Sequence, residues 1–449
     1  HTLVLPIDRY VVRAHLNYEL NDSLGMFVEG SYGRSGSDYS GPMPRDTALA
    51  GPRSVVIQRD NAFLPDEVAA IMDANAITSF VLGRSNPDFS STRIVNFNST
   101  YRIAGGLNGN LGGGWSWDAY AQYGENKLDS QIRNMRIQQN FLWALDAIEV
   151  GGDIVCRNTV ARAQGCEPLN LFGVGAMSDE AIDYVNGTQF QSITTTQLVG
   201  AANIRGEPFS TWAGPVSFAV GAEYRKDTAE SVVDSLAAAG RYNFSNPKPY
   251  EGEFTTKEAY AEIVVPLVRD APFFQSLDLN GAIRYTDYDV SGGVTTWKIG
   301  ATWDVLDGLR FRTTRSRDIR APNAAELFSV TSTQSTLRNP FNGVSRSYTI
   351  IFEPSATLAP EKADTFTVGA VISPSFLPGF TASVDFYDIK INGAIASFPA
   401  QSIVDNCYAE VQAGAPGTFC AMTSLSGTGA ATDINSVSVQ LLNLASLET

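Results

Sequence analysis

Apolar and polar residues alternate with a period of two along most of this 449-residue chain. In 309–316, Leu309, Phe311 and Thr313 fall on one face and Arg310, Arg312, Thr314 and Ser316 on the other. Successive side chains of a β-strand point to opposite faces, so the segment reads as a strand with one apolar and one wet side. Residues 380–387 repeat the pattern, with Phe380, Ala382, Val384 and Phe386 set against Thr381, Ser383, Asp385 and Tyr387. The SPSFLPGF connection that leads into them carries the Pro and Gly of a tight turn. The same reading predicts thirteen strands: 10–20, 24–33, 92–107, 115–129, 191–205, 216–228, 254–267, 276–290, 294–305, one from 309 to 318, a hairpin of two within 361–391, and a last one at 435–444.

The connections alternate mostly short and long. Asn21-Asp22-Ser23, GNLGGG, the turn at Pro272 and Asp307-Gly308 are short, whereas 35–91, 130–190, the stretch after Asp318 and the one before 435 are long. The first long connection holds a brief helical pattern, LPDEVAAIMDAN, in which Pro65 suits a first helical turn. Long connections confined to one end are expected of a meander crossing a membrane, where periplasmic turns are short and extracellular loops long. A soluble sandwich has no reason for that asymmetry. Strand lengths also approach the roughly 9 to 11 residues that cross a bilayer rather than the 5 or 6 usual in soluble sheets.

The expected fold class is therefore all-β, a transmembrane antiparallel up-and-down β-barrel with long extracellular loops. One face of each strand should meet lipid. In 276–286 the outward set is Leu277, Leu279, Ile283 and Tyr285, and the inward set Asp278, Asn280, Ala282, Arg284 and Thr286. In 217–225, Phe218, Val220, Ala222 and Tyr224 point out and Glu223 and Arg225 point in. Trp115, Trp117, Tyr120, Tyr123, Trp297 and Trp303 lie near strand ends, where aromatic girdles sit at headgroup level. Their alternative is core packing in a soluble sheet.

Composition narrows the classes further. Forty-seven acidic against 32 basic residues give a net charge of −15, which argues against a nucleic-acid footprint of Lys and Arg. No run approaches the 18 or so apolar residues of a membrane helix. No Pro-rich or charge-rich linker divides the chain. His1 is not an initiator Met and no signal peptide opens the sequence, as expected of a fragment or processed chain.

Three stretches carry a resemblance. SRDIRAPNAAELF, 316–328, resembles the S-R-x-F-R-A-P-x-x-x-E-L signature of TonB-dependent outer-membrane receptors, with Ile319 where that family often has Phe. LAPEKADTFTVGAV, 358–371, and DFYDIKINGAI, 385–395, resemble that family's Pro-Glu-Lys strand and the strand after it, in the family's order and spacing. The resemblance implies a barrel of about 22 strands with a plugged lumen. The thirteen strands of 1–449 would then be part of the barrel domain, with the plug domain and the C-terminal closing strands outside this chain. LLNLASLET, 441–449, resembles the family's stretch just ahead of those closing strands.

The implied function is active uptake of a scarce ligand, an iron–siderophore, cobalamin or an oligosaccharide, across the outer membrane of a Gram-negative bacterium. The implied partners are that ligand, outer-membrane lipid, and the inner-membrane TonB complex, reached through the absent N-terminal region. A passive porin and a surface-binding barrel are the rival readings. The signature residues Arg317, Arg320, Pro322 and Glu326, with Pro360, Glu361 and Lys362, are expected to shape the rim, Arg320 pairing with Glu326 or Glu361, rather than to touch ligand.

The four cysteines form two close pairs, Cys156 with Cys166 and Cys407 with Cys420, inside long loops. A metal site would want thiolates two to four apart and a further ligand, and His1 and His15 are the only histidines. Two loop disulfides are the better reading and imply an oxidising compartment. No cofactor or metal is expected. Asp287, Asp289, Ser291 and Gly292 imitate half a calcium loop, but Lys298 stands at the twelfth position. GGLNGNLGGG joins two strands and opens no helix, so it is a turn and not a phosphate cradle. G-x-S-x-G, H-E-x-x-H and P-loop patterns are absent, and the chain is not expected to be an enzyme. Phe141, Trp143, Phe172, Tyr408 and Phe419, aromatic residues in polar loops, are candidate ligand contacts that could equally pack their own loops.

Overall fold

The computed structural model describes residues 4–41, 43–46, 54–427, 429–444 and 447–448. His1, and residues 445–446 and 449 of the LLNLASLET stretch, lie outside the described residues. Twelve of the thirteen expected period-two segments, with a two-residue strand near the end of the chain, form one antiparallel sheet of thirteen strands, paired in chain order. They are β1 (Ile7–Asn21), β2 (Leu24–Ser40), β3 (Arg93–Gly112), β4 (Trp115–Arg136), β5 (Asn186–Gly206), β6 (Ser217–Val233) and β7 (Tyr250–Ala271). There follow β8 (Phe274–Tyr288), β9 (Gly292–Leu306), β10 (Leu309–Arg320), β11 (Glu361–Ile372), β12 (Ala382–Asn392) and the two-residue β13 (Leu447–Glu448). Among the described residues β1 and β13 are unpaired edges, so the sheet is a curved wall rather than a closed ring.

The strands nearest the start are longer than the alternation alone marks out. β4 and β7 each run 22 residues, about twice what a bilayer crossing needs. Their surplus stands on the side of the long connections, so the wall rises above the membrane there. The two-residue turns 22–23, 113–114, 272–273 and 307–308 lie at the opposite end, while the three-residue turn 289–291 joins β8 to β9 on the side of the long connections.

Face assignment follows the pleat. Ile283 and Tyr285 are 54% and 53% exposed, and Leu279 and Ile299 on the same face are also open. The inward Thr286 and Tyr288 are buried. At the turn end, Trp303 stacks on Phe274 at 5.0 Å, lies 5.7 Å from Phe311, and donates its indole N–H to the Phe273 carbonyl at 2.9 Å. That cluster fits an interfacial girdle. At the other end, Tyr101 and Tyr123 pair at 6.1 Å and both hydroxyls reach Glu125. Tyr120 departs from the expectation: it shares the inner face with Asp118 and Gln122 and lies opposite Gly106 on β3. Its even position in the strand decides this, because a girdle residue must fall in the lipid-facing register.

The last expected strand is misplaced. Residues 435–444 do not join the wall: Asp433–Gln440 pairs in parallel with Ser345–Glu353, and Leu442–Asn443 with Ile395–Ala396. Val437 and Val439, which produce its alternation, are buried among loop residues. Period two reports a half-buried strand without saying which sheet it joins.

Candidate functional site

The inner face of the wall is a ladder of hydrogen-bonded polar side chains. Glu29 accepts from Arg13 at 2.8 Å and Arg102 at 2.6 Å, with His15 3.3 Å away. Arg102 donates to Gln122 at 2.9 Å, Gln122 to Gln197 at 3.1 Å, and Gln197 to Asp227 at 2.9 Å, which also accepts from Arg225. Further round, Asn203 bridges Asp118 and the Tyr260 hydroxyl, and Glu258 accepts from Arg284 and Thr286. These residues are spaced two apart on successive strands, so the pleat alone brings them to one side. Such a face suits water or a polar occupant.

The signature segment bends over this face. Ala321, Pro322, Asn323 and Ala324 help to line a recess of about 590 Å³ whose floor includes Arg102, Gln122, Gln197, Arg225 and Asp227. Asn323 caps the short helix Ala324–Phe328 and Glu326 returns the bond to the Asn323 amide, a reciprocal capping box. Phe328 lies flat against Gly252 of β7, where any Cβ would collide with its ring. Arg320 lies between two carboxylates: Glu326 at 2.9 Å and 3.0 Å, and Glu361 at 2.8 Å. Glu361 also accepts the Ile395 amide at 2.6 Å. One carboxylate thus ties β10 to the roots of both late long connections. Arg317 pairs with Asp364 at 2.7 Å. Pro360 and Lys362 flank Glu361 where β11 begins. Of these residues, Pro322 lines the recess.

The long connections are not free loops. The first two fold together around a core that includes Val55, Ile57, Phe89, Phe141, Leu145, Cys156 and Leu169. Arg157 joins them by pairing with Asp60 of one and Asp146 of the other, and Asn61 donates to the Leu145 carbonyl at 2.7 Å. The later two form a second module, a five-stranded sheet that also takes Ser245–Pro247, packed by the helix Ala400–Gln412 over Tyr348, Ile350, Ile403 and Val437. Each module contains one disulfide, Cys156–Cys166 in the first and Cys407–Cys420 in the second.

This packing corrects the ligand-contact expectation for Phe141, which is 0% exposed, edge-on to Phe89 at 6.2 Å and beneath the Arg136 guanidinium at 4.0 Å. Apolar burial of a whole ring outweighs any gain from leaving it at the surface. Trp143 and Phe172 pack against the same core but stay half-exposed. Tyr408 meets Phe341 edge to face at 5.1 Å, and Phe419 meets Phe398 at 5.3 Å. Those four are anchored in the modules with part of each ring in solvent.

A clamp that the motifs did not reveal closes the first module. Arg84 grips Asp88 with two bonds of 2.8 Å and 2.7 Å and donates to the Gly173 carbonyl across the module, while the Gly175 amide donates to Asp88. The spacing of four in a loop gives no signal of this. The Arg84 guanidinium, seconded by the Gly175 amide, holds the Asp88 carboxyl down at about 2. Asp88 therefore contributes stability that is complete above its unfolded pKa near 4 and lost as pH falls through about 2. At 1.36 kcal/mol per pKa unit that is about 2 kcal/mol for this nearly buried pair. Asp88→Asn is expected to lower module stability by that order at pH 7 and to flatten its dependence on pH between 4 and 2, read by hydrogen exchange of 84–90 and 170–177.

A lipid-facing wall with a polar lumen face and folded modules at one end defines the class, a transmembrane antiparallel β-barrel. The chain belongs to the TonB-dependent receptor-like β-barrel family, whose model matches residues 73–432. That family consists of outer-membrane receptors and transporters, not enzymes. The fold is similar to that of the siderophore receptor PirA from Acinetobacter baumannii (14% identity, TM-score 0.52), covering 98% of this chain and 49% of that one. It is similar also to a variant of the ferric enterobactin receptor PfeA from Pseudomonas aeruginosa (14% identity, TM-score 0.55), covering 98% of this chain and 48% of that one. The chain thus spans about half the length of the solved structures it matches. No curated protein matches the sequence.

Proposed function

We propose that this chain supplies the wall, rim and capture modules of an outer-membrane active transporter that takes up a scarce ligand with energy delivered through TonB. The observation that carries the reading is the pairing of a polar, ligand-sized lumen face with two cross-braced modules at the long-connection end, in a chain whose family is that of TonB-dependent receptors. A lumen wide enough for a large nutrient must be plugged at rest, and no ATP is available at the outer membrane. The plug and the TonB-contacting segment are proposed to lie outside these 449 residues. The ligand class stays at iron–siderophore, cobalamin or oligosaccharide.

The test is uptake by cells carrying the full-length gene, with and without TonB. Loss of TonB is expected to reduce uptake at low external concentration to background while surface binding persists. Uptake that continues without TonB would make the barrel a passive porin. Binding without uptake in either strain would make it a surface-binding anchor.

A further inference from the structure

Where the first long connection and the 234–249 connection between β6 and β7 meet the tops of β3, β4 and β5, a cavity of about 260 Å³ opens. Met43, Phe89, Ile94, Ile132 and Phe244 make most of its lining apolar. Asn186 and Arg136 share that lining. They are cross-strand partners at the top of the β4–β5 pair, which sets their Cβ atoms about 5 Å apart. Asn186 keeps both polar atoms of its amide buried without a hydrogen-bond partner, and Arg136 does the same with Nε. The rest of Arg136 is engaged. Its Nη1 and Nη2 donate to Asp46 at 3.1 Å and 2.8 Å, and its plane covers Phe141.

The backbone makes a detour to reach this arrangement. Asn134 takes a left-handed conformation, φ 57°, and the β4–β5 register slips between Gly187 and Gln189. Such bulges recur where a strand must re-aim a side chain. Buried polar atoms in folded proteins nearly always find a partner, so three adjacent orphans beside one apolar cavity call for one.

We propose that this cavity is a binding site for a small neutral aromatic carboxamide, of about nine to twelve non-hydrogen atoms. The ring lies among the apolar side chains, and the carboxamide pairs with the Asn186 amide, donor to acceptor and acceptor to donor. Its carbonyl also accepts from Arg136 Nε. An anion gains little here, because Asp46 already neutralises Arg136. A bare hydrocarbon leaves the three polar atoms unpaired. The site is lined by residues of this chain and does not depend on the transport reading.

Titration calorimetry of the detergent-solubilised full-length receptor with benzamide tests this, with benzoate as a charged control of matched size and toluene as an apolar control that keeps the ring. Saturable benzamide binding, at least about tenfold tighter than either control, is expected. Asn186→Leu should weaken benzamide about tenfold and favour toluene. Phe244→Ala, at an exposed rim position that carries no core packing, should weaken both ring ligands severalfold. No saturable benzamide binding, controls that bind as tightly, or affinities unchanged in both variants would each overturn the assignment. None of these results bears on whether uptake needs TonB.

Discussion

Ile283→Arg is expected to cost about 2 to 4 kcal/mol of membrane-folded stability, and Asn280→Arg close to nothing. The two positions are three apart in β8 and fall on opposite faces. Ile283 is 54% exposed, flanked across the sheet by Ala261 and Trp297, with the apolar Leu279 and Ile299 on the same face. It lies near the middle of a 15-residue strand, so an arginine there places its charge close to the hydrocarbon centre. Asn280 lies on the inner face, its amide against Gly300, in the row that holds Asp278 and Arg284. A longer cation at that position meets water and carboxylates. Heat-modifiability on gels and urea unfolding in lipid vesicles read both variants. Equal effects would mean that the wall is misassigned, and a larger cost at Asn280 that the lipid and lumen faces are exchanged.

The wall was legible because a strand with lipid on one side and water on the other has to alternate over its whole length. The twelve long strands of the sheet correspond to the first twelve expected ones, with boundaries shifted where the strands outrun the membrane. What could not be read is what the long connections do. Thr331–Arg338 and Ser345–Glu353 pair into a loop sheet although TSTQSTLR is entirely polar but for Leu337. Its stability comes from packing against residues some ninety positions away, as in the Asn339 to Asp433 contact. Local pattern has no access to a partner that distant.

The rim shows the opposite case. Arg320, Glu326 and Glu361 stood out as residue types in a motif, and the alternatives for Arg320 were Glu326 or Glu361; it makes both pairs. A guanidinium has five donors, so two carboxylates do not compete for it. The inner-wall ladder is intermediate. Its members follow from face parity once the strands are known, but the order Glu29, Arg102, Gln122, Gln197, Asp227 depends on the register between strands, which the sequence does not supply.

Phe141→Ala is expected to remove about 3 to 5 kcal/mol from the first loop module, the usual cost of emptying a buried phenylalanine site. The ring is fully enclosed, packs on Phe89, and supports the Arg136 guanidinium that holds Asp46. The cavity left behind cannot collapse freely, because the Cys156–Cys166 bond and the helix Gln138–Leu145 fix its walls. Amides of 138–185 should exchange faster by several orders of magnitude, and protease should cut within 147–177, while the wall strands keep their protection. Trp143→Ala, at a half-exposed ring on the same helix, should change exchange far less. The pair separates packing from contact: a Phe141→Ala receptor whose module keeps its protection but no longer binds ligand would restore Phe141 as a ligand contact and place the opening of the module within reach of that ring.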